Sequence, residues 1–415
     1  MKARELKALE LAARVRITWE NDAWSVPSAS GNGKYRVVLK PERNTCTCPD
    51  FELTGKDCKH VLAAQFVMER DYGGQPLLID TDTLPKKKTY KQNWPAYNRA
   101  QTTEKHRFQA LLFDLCQGIQ EPARPKKPGP KNIPLADAVF AAAFKISSTF
   151  SARRFMCDLG DAREKGYRSR PIHFNSVNAY LENAELTPML ERLIVQSSLP
   201  LKAVEVDFAV DSTGFSTSRF VRGYDHKYGC TRQEHDWVKA PFATGVKTNT
   251  VTGVRILDRD AADAPQFKPL VDTTAERFTI KEMSGDKAYL SVENVEAVCS
   301  HGGMPFIAPK ANTTGGAGGL FERMVHSYLF RRDDFLAHYH KRSNAESTVN
   351  MVKAQFRDHV RSKTDTAMKN EVLCKFLCHN LCVVIQSQCE LGIEAPFWPE
   401  ELPDKAAILS LVRPG

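Results

Sequence analysis

Long apolar runs are absent from this 415-residue sequence. A membrane-spanning helix needs roughly 20 consecutive apolar residues, so no membrane partner is expected. The N-terminal stretch, MKARELKALELAARVR, also lacks the apolar core of a secretory signal. Cysteines number 11, which is an odd count and too few for a disulfide scaffold in a chain of this length. These absences predict a protein of a reducing, cytoplasmic compartment.

Positive charge is in excess, with a formal net charge of +9 at pH 7, and the excess is local. Residues 81–131 hold eleven lysines or arginines against four acidic residues, with Tyr90, Trp94 and Tyr97 among them. Such a stretch is typical of a surface that contacts a polyanion, most simply nucleic acid, although a solvated basic linker has the same composition. Its prolines and glycines predict a linker with one short helix, over Glu104–Cys116.

Four residues near the N-terminus have the spacing of zinc ligands. Cys46 and Cys48 follow a predicted strand over residues 35–40, and Cys58 and His60 precede a predicted helix. Three thiolates and one imidazole form a closed tetrahedral set around Zn²⁺ with no position left for a substrate, so the predicted site is structural. Four buried core residues are the alternative interpretation.

This C-x-C and C-x-H pattern, followed by a helix, resembles the SWIM-type zinc finger over about residues 35–70. The resemblance implies a module that binds DNA or protein. A small domain over residues 1–75 is expected to depend on the ion for its stability.

The middle of the chain is predicted to be helical. Pro134 precedes an apolar helical run, and further helices are predicted over 151–165, 175–182 and 187–196. Basic side chains are spread among them: Arg153, Arg154, Arg163, Lys165, Arg168 and Arg170. Residues 132–200 are therefore expected to form either a helix-turn-helix-like DNA-binding subdomain or a plain helical subdomain.

The C-terminal half alternates strands and helices in the predicted order β-β-β-α-β-α-β-α. The first strand begins near Leu201 and is predicted to end in a turn at Asp211–Gly214. The fourth strand is predicted to run into a turn at Asp286. Two acidic residues are thus expected where strands end.

A third acid stands in the helical stretch from Tyr339 to Lys353. Arg342 and Glu346 lie between them at offsets that return to nearly the same helix face. A carboxylate at the edge of a core needs a partner, and a metal ion is one. Ser343 and Glu346 are also spaced as a capping box, in which case the helix begins at Ser343 and the tyrosine and arginine approach from the preceding loop.

The element order, with acids at Asp211, Asp286 and Glu346, resembles the ribonuclease-H-like fold. The stretch from Tyr339 to Lys353 matches, at all four positions, the signature Y-x2-R-x3-E-x6-K of a group of bacterial insertion-sequence DDE transposases. This resemblance covers about residues 130–390. The segment between the second and third acids has no room for the β-rich insertion that some relatives carry.

The resemblance implies an α/β fold class. A ribonuclease-H-like catalytic domain, with a mixed five-stranded sheet and helices, is expected over residues 201–395. It would be preceded by the zinc-finger domain, a basic linker over 76–131 and the helical subdomain, and followed by a C-terminal tail over 396–415.

The resemblance also implies a divalent-metal-dependent DNA transposase of the bacterial cytoplasm, associated with the nucleoid. Such an enzyme cleaves double-stranded DNA at transposon ends and transfers the 3′-OH ends into target DNA, usually as a multimer, so a homodimer on DNA is implied. Mg²⁺ or Mn²⁺ would be held by the implied catalytic acids: Asp211, Asp286 and Glu346. DNA would be contacted by three further residues: Tyr339, Arg342 and Lys353. The alternatives are a transposase-derived DNA-binding regulator without catalysis and a metal-dependent nuclease that does not join ends.

Other residues compete for these roles. Asp207 has the same strand parity as Asp211, and Glu282 competes with Asp286 from the middle of its strand. A series of cysteines recurs on one predicted helix: Cys374, Cys378 and Cys382. One helix face cannot enclose a tetrahedral ion, so these are predicted to be buried thiols.

Overall fold

The structure is a computed structural model, and it describes residues 3–28, 33–40, 42–72, 93–121, 133–217, 237–258, 260–310, 313 and 317–398. The described residues divide into two compact units. The first unit draws on 1–91 and 308–339, and the second on 92–307 and 340–415. Two parts of the predicted basic linker, 76–92 and 122–131, lie outside the described residues, as do residues 399–415 of the predicted tail.

The N-terminal part of the first unit is a small antiparallel sheet with helices. Its elements are α1 (Ala3–Arg14), β1 (Thr18–Glu20), β2 (Ala23–Pro27), β3 (Lys34–Val38), β4 (Thr45–Cys46), α2 (Pro49–Thr54) and α3 (Lys59–Tyr72). The strands pair in the order β1-β2-β3-β4. Buried Trp24, Val26 and Val37 on the sheet meet Val61 and Ala64 on α3 in one apolar core.

Helices open the second unit: α4 (Trp94–Gln117), α5 (Leu135–Ser148), α6 (Phe155–Glu164), α7 (Phe174–Leu181) and α8 (Leu186–Ser198). The prediction of only a short helix over Glu104–Cys116 was wrong, because α4 has 24 residues. The Asn93 side chain caps its start by accepting a hydrogen bond from the Ala96 amide, 3.3 Å. Pro95 is tolerated there because the first turn needs no amide hydrogen.

Two of the basic residues predicted as possible DNA contacts have structural partners. Arg168 is buried and donates hydrogen bonds to the carbonyls of Leu159, 2.7 Å, and Arg170, 2.9 Å. The Arg153 guanidinium lies 4.8 Å from the centre of the Phe174 ring. These contacts explain both residues without a nucleic acid.

The described residues of the second unit form a mixed five-stranded sheet, which confirms the predicted sheet. Its strands are β5 (Asp207–Ser216), β6 (Trp237–Gly245), β7 (Val251–Val254), β8 (Glu282–Gly285) and β9 (Met304–Ile307). They are joined in part by α9 (Ala264–Ala275) and α10 (Val292–Ser300). The spatial order is β7-β6-β5-β8-β9, with β5, β8 and β9 parallel and β6 and β7 antiparallel.

Strand β5 continues through Asp211, so the predicted turn at Asp211–Gly214 was wrong. It pairs with β6 as far as Ser216, whereas its pairing with β8 ends at Val210. Gly214 is needed for close packing and not for a turn, because a Cβ at this position would lie 2.5 Å from the Trp237 ring. The acid therefore sits in mid-strand, at the point where one neighbouring strand stops.

Four helices complete the described chain: α11 (Gly319–Phe330), α12 (Arg332–Tyr339), α13 (Ser343–Phe356) and α14 (Asp365–Leu391). Helices α11 and α12 belong to the first unit, in which Arg332 donates a hydrogen bond to the Ala13 carbonyl at the end of α1, 2.6 Å. Helices α13 and α14 belong to the second unit.

Helix α14 runs through the core of the second unit. By length and composition alone it could cross a membrane, but most of it is buried inside the chain, as in the core helix of a globular protein. The Phe376 ring lies 5.5 Å from that of Phe242 on β6, centre to centre. Cys374 and Cys378 are buried thiols, as predicted, whereas Cys382 is only partly buried. Helices α4 to α8 and the sheet share this one core.

Asn380 on α14 ties a helix to the sheet. Its amide nitrogen donates to the carbonyls of Val251, 2.7 Å, and Ile194, 3.1 Å, and to the Ser197 hydroxyl, 3.0 Å. Its amide oxygen accepts from the Val251 amide, 2.7 Å. All of these groups are buried, so the side chain supplies hydrogen bonds that water cannot.

Replacing Asn380 by leucine should lower the free energy of unfolding by about 2–4 kcal/mol, because several buried polar groups lose their partners. Urea unfolding at constant pH measures the change. Asn350→Leu on the exposed side of α13 is the control and should change stability by about 0.5 kcal/mol or less. Equal stability of the two variants would contradict this interpretation of Asn380.

Candidate active site and zinc centre

The four predicted zinc ligands lie together in the first unit. Cys46 ends β4, Cys48 caps α2, and Cys58 and His60 stand at the start of α3. All four are buried, and one ligand atom from each lies within 4.8 Å of the others. In the part of the chain that the structure describes, no other group of His, Cys, Asp or Glu residues meets that distance.

The chemistry of this donor set fits Zn²⁺. Nδ1 of His60 lies 3.8 Å from Sγ of Cys58, close to the edge of a tetrahedron whose zinc–sulfur bonds are about 2.3 Å. The contact with Cys58 raises the pKa of Cys46, and the same contact lowers the pKa of Cys58. Burial raises the pKa of Cys48. The thiols thus share protons among themselves, whereas a divalent cation would compensate all three thiolates.

Four carboxylates lie on one face of the sheet in the second unit. Asp207 pairs in register with Glu282 across the parallel strands β5 and β8. Asp211 and Asp286 each stand four residues further along, directly after the last paired residues of those strands. Side chains four residues apart in a strand share a face, and neighbouring strands are about 4.8 Å apart. The acids therefore form two rows: an inner row, Asp207 with Glu282, and an outer row, Asp211 with Asp286.

A lysine bridges the inner row and offsets part of its negative charge. Lys341 Nζ lies 2.7 Å from the carboxylates of both Asp207 and Glu282. Burial lowers the pKa of Lys341, but the hydrogen bonds to the two acids outweigh it and raise the pKa overall. One ammonium group thus contacts one oxygen of each carboxylate, while Oδ1 of Asp207 is buried and has no hydrogen-bond partner among the described residues.

The outer row lies in a different electrostatic environment. Burial raises the pKa of Asp211, and the negative charges of Glu346 and Asp286 raise it further. A hydrogen bond from the Ser212 amide, 2.9 Å, and the Arg342 guanidinium, 3.7 Å away, act in the opposite direction. The net upward shift of the Asp211 pKa is therefore mainly an effect of burial, to which the charges of Glu346 and Asp286 add.

Asp286 follows Gly285 in extended conformation and accepts a hydrogen bond from the Lys287 amide, 2.8 Å. Glycine is needed at position 285 because a Cβ would lie 2.9 Å from the Phe267 ring. Nearby, the buried Tyr289 hydroxyl has no hydrogen-bond partner among the described residues. Burial, together with the charges of Asp263, Asp211 and Asp286, raises the pKa of Tyr289.

The third acid lies in the first turn of α13, which begins at Ser343. No side-chain cap is formed there, so the capping-box interpretation is wrong in its hydrogen bonding but right about where the helix begins. The Glu346 carboxylate accepts a hydrogen bond from Arg342, 2.9 Å. Arg342 itself lies in a 3-10 turn, His340–Arg342, ahead of the helix.

Helix α13 is fixed by a buried face made of Ala345, Thr348, Val352 and Phe356. The Thr348 hydroxyl lies 3.1 Å from that of Thr244 on β6, which anchors the helix to the sheet. The opposite side of the first turn leaves Glu346 exposed. The buried face thus aims the third acid away from the core.

The remaining signature residues are Lys353 and Tyr339. Lys353 is half-buried, with Nζ 5.5 Å from the centre of the Phe215 ring, and burial lowers its pKa. Tyr339 ends α12 and belongs to the first unit, where its ring stacks on Phe335 at 6.3 Å. Of the two placements considered for these residues, one helix face for all four does not occur, because only Glu346 and Lys353 lie on α13 and Arg342 lies in the 3-10 turn ahead of it.

The ligand atoms of Asp211, Asp286 and Glu346 are not all within 4.8 Å of one another. Arg342 approaches two of the three, so one guanidinium supplies positive charge to this outer site. Lys341, which spans the inner row, was missed in the sequence. The sequence did contain one signal for it. Glu282 lies on the same face of its strand as Asp286, and Asp207 lies on the same face as Asp211. A second pair of acids therefore needs a cation.

Comparison with known protein families agrees with this geometry. Residues 202–381 match the family model of the transposase DDE domain, and residues 35–64 match the SWIM zinc finger. The chain therefore carries a DDE transposase domain, which implies a ribonuclease-H-like fold, behind an N-terminal SWIM zinc finger. Both predicted resemblances are confirmed, and the buried Cys₃His cluster fits a structural zinc ion.

A search of curated protein sequences found no match. Among solved structures, a cryo-EM structure of a piggyBac transposase synaptic complex with hairpin DNA aligns over 73% of this chain and 77% of that chain. The identity is 9% and the TM-score 0.32, a superposition too loose to establish a shared fold.

Protein purified without added metal should contain about one zinc ion per chain, because the four ligands form one closed site. Cys58→Ser removes a ligand and should reduce the zinc content to near zero and destabilise the first unit. Elemental analysis of the purified protein measures this. Cys157→Ser, at an exposed cysteine, is the control and should retain the ion. Wild-type protein without zinc would contradict the assignment.

Asp211→Asn should stabilise the protein at neutral pH in a metal-free, chelating buffer. The folded-state pKa of Asp211 is raised, so its contribution to stability is complete below the ordinary aspartate pKa of about 3.9 and is lost as the pH rises through the raised value. The asparagine variant escapes that loss.

Thermal unfolding at several pH values measures the difference between the two proteins. Asp161→Asn, at an exposed carboxylate on α6, is the matched control and should leave the stability unchanged. A less stable Asp211→Asn protein at neutral pH would show that Arg342 outweighs the burial of this acid.

Proposed function

We propose that this chain is an active DNA transposase, which cleaves DNA at transposon ends and transfers the 3′-OH ends into target DNA with divalent metal ions. The observation that carries the proposal is the contrast between the two rows of carboxylates. Lys341 spans the inner row, whereas in the outer site Arg342 lies beside Asp211 and Glu346, and Asp286 has no ion pair among the described residues. The inner row therefore has a lysine bound to both of its acids, whereas Asp286 of the outer row is left for another cation.

In this proposal Asp211, Asp286 and Glu346 hold Mg²⁺ or Mn²⁺, since hard divalent ions prefer carboxylate oxygens. Bound ions would activate the attacking oxygen and stabilise the leaving oxygen of a phosphodiester. The orphaned Tyr289 hydroxyl beside two of these acids fits the site, because it offers a hydrogen-bonding group to a hydrated ion.

The chain's own cations would bind the DNA strand. Arg342 is held by Asp211 and Glu346, so it lies beside the position of the scissile phosphate and suits charge-assisted hydrogen bonds to it. Lys353, two turns along the same helix as Glu346, would contact a neighbouring phosphate. Tyr339 would stack on a base or donate a hydrogen bond to a phosphate.

The proposed organisation assigns residues 1–75 to the zinc finger, 76–131 to a basic linker, 132–200 to a helical subdomain and 201–395 to the catalytic domain. Within the linker the described part is the helix α4, which packs into the core of the second unit. The proposed substrate is double-stranded DNA with terminal repeats, bound by a homodimer in the bacterial cytoplasm.

The test incubates the purified chain and Mg²⁺ or Mn²⁺ with DNA that carries the terminal repeats flanking its own gene, together with a target plasmid. Wild type should nick the ends and join them to the plasmid. Glu346→Gln should bind the DNA but react about a thousandfold more slowly, since it loses several kcal/mol of charge stabilisation at about 1.4 kcal/mol per tenfold. Glu296→Gln, at an exposed glutamate of α10, is the matched control.

Each result has a distinct meaning. A wild-type protein that binds but neither nicks nor joins contradicts the enzyme proposal and leaves a DNA-binding regulator. Nicking without joining identifies a nuclease. Equal rates for Glu346→Gln and wild type would show that the third acid has been misassigned.

A further inference from the structure

A second cationic site lies in the second unit, away from the carboxylate rows. A cavity of about 250 Å³ opens between the C-terminal end of α5, helix α7, the segment 357–363 and helix α14. Four cationic side chains line it: Lys145, Arg357, Arg361 and Lys363. Two carboxylates, Glu182 and Glu371, also line it. Positive charge is therefore in excess.

Lys145 stands at the inner end of this cavity. Its side chain is buried, with 8% of the residue exposed. Within the residues that the structure describes, no hydrogen bond or ion pair engages its ammonium group. Burial, with smaller effects of Arg361 and Arg357, lowers its pKa to about 8, and the charge of Glu371 acts in the opposite direction. An ammonium group that is buried and charged without a partner is unfavourable, and an anion in the cavity would compensate it.

Glu371 does not fill this role, because its carboxylate is already engaged. It accepts hydrogen bonds from the backbone amides of Arg361, 2.9 Å, and Ser362, 2.8 Å. Its cationic partner is Lys375, whose Nζ lies 3.8 Å away. Lys375 also donates hydrogen bonds to the carbonyls of Arg357 and His359. This buried carboxylate and lysine balance each other and hold the 357–363 segment in place. Lys145 is then the surplus charge.

Two arginines are held in place at the rim. Arg357 and Arg361 both donate to the Thr149 carbonyl at the end of α5, at 3.1 and 3.2 Å. These contacts use few of the donors on each guanidinium and leave the others for a ligand. Lys363 is exposed beside them. Glu182, at the opposite rim, is the one carboxylate that faces solvent there.

We propose that this cavity is a binding site for a phosphate group, with Lys145 at its base and Arg357, Arg361 and Lys363 at its rim. The volume admits a phosphate group together with water, and guanidinium groups match the geometry of its oxygens. The group is either a backbone phosphodiester of bound DNA, which rests on the proposed function, or a free phosphate ion.

The first experiment measures thermal unfolding of the full chain in inorganic phosphate and in chloride at equal ionic strength. Saturating phosphate should raise the Tm of wild type by about 2–4 °C. Lys145→Met keeps the length of the side chain, removes the buried charge, and should abolish that shift. Lys363→Met is exposed, cannot perturb the core, and should reduce the shift. Lys202→Met, an exposed lysine outside the cavity, is the charge-matched control and should retain it.

The second experiment separates the two sources of phosphate. The logarithm of the affinity for duplex DNA is measured against the logarithm of the salt concentration. If a backbone phosphate occupies the site, Lys145→Met should make this slope shallower by about 0.9. An unchanged slope together with a lost phosphate shift identifies a free phosphate ion as the ligand.

The proposal is overturned if phosphate does not raise the wild-type Tm more than chloride does, or if Lys145→Met shows the same shift as wild type. Should that variant not fold, an undiminished shift in Lys363→Met overturns it instead. Neither experiment requires DNA cleavage. A chain that binds phosphate here but never cuts DNA would contradict the transposase proposal and leave this site intact.

Discussion

Repulsion among carboxylates on one face of the sheet is the constraint on which this site depends. Parallel pairing of β5 with β8 brings Asp207 beside Glu282 and aligns Asp211 with Asp286. Like charges this close destabilise the fold unless cations join them. The chain provides Lys341 for one row and Arg342 for the other, from adjacent positions of one 3-10 turn. The contacts of Lys341 with the inner row therefore also position the adjacent Arg342, and the start of α13, beside the outer row.

Much of the fold follows from local patterns in the sequence. Alternating apolar residues located the strands of the sheet, and the ligand spacing located the zinc cluster, because both depend on short-range periodicity or spacing. The segment around Asp211 was harder to predict. Gly214 has the composition of a turn but is set by the neighbouring Trp237 ring, a contact between two strands that no local pattern contains. The length of α4 was missed for a related reason, since a proline in the first turn has no helix hydrogen bond to lose.

The candidate acids were identified from a family resemblance, but the charged groups around them could be identified only from the structure. Nothing near Lys341 in the sequence shows that it reaches two strands at once. The environment of Lys145 was equally hidden. In the sequence it is one polar residue in an apolar helix, whereas in the structure it is buried with no hydrogen-bond or ion-pair partner among the described residues. Tertiary contacts decide which charged side chains come together, whereas the periodicity of a sequence indicates only which face of a helix or strand is apolar.

The composition of the first unit has a consequence for how such chains are inherited. Residues 308–339 are encoded inside the stretch that matches the transposase domain, yet they belong to the same compact unit as the zinc finger, with Arg332 bonded to the end of α1. A finger transferred without this internal segment would lose the hydrogen bond between Arg332 and the end of α1. A new partner domain would have to carry a compatible copy of this internal segment, so the two halves of the first unit are expected to be exchanged or lost together.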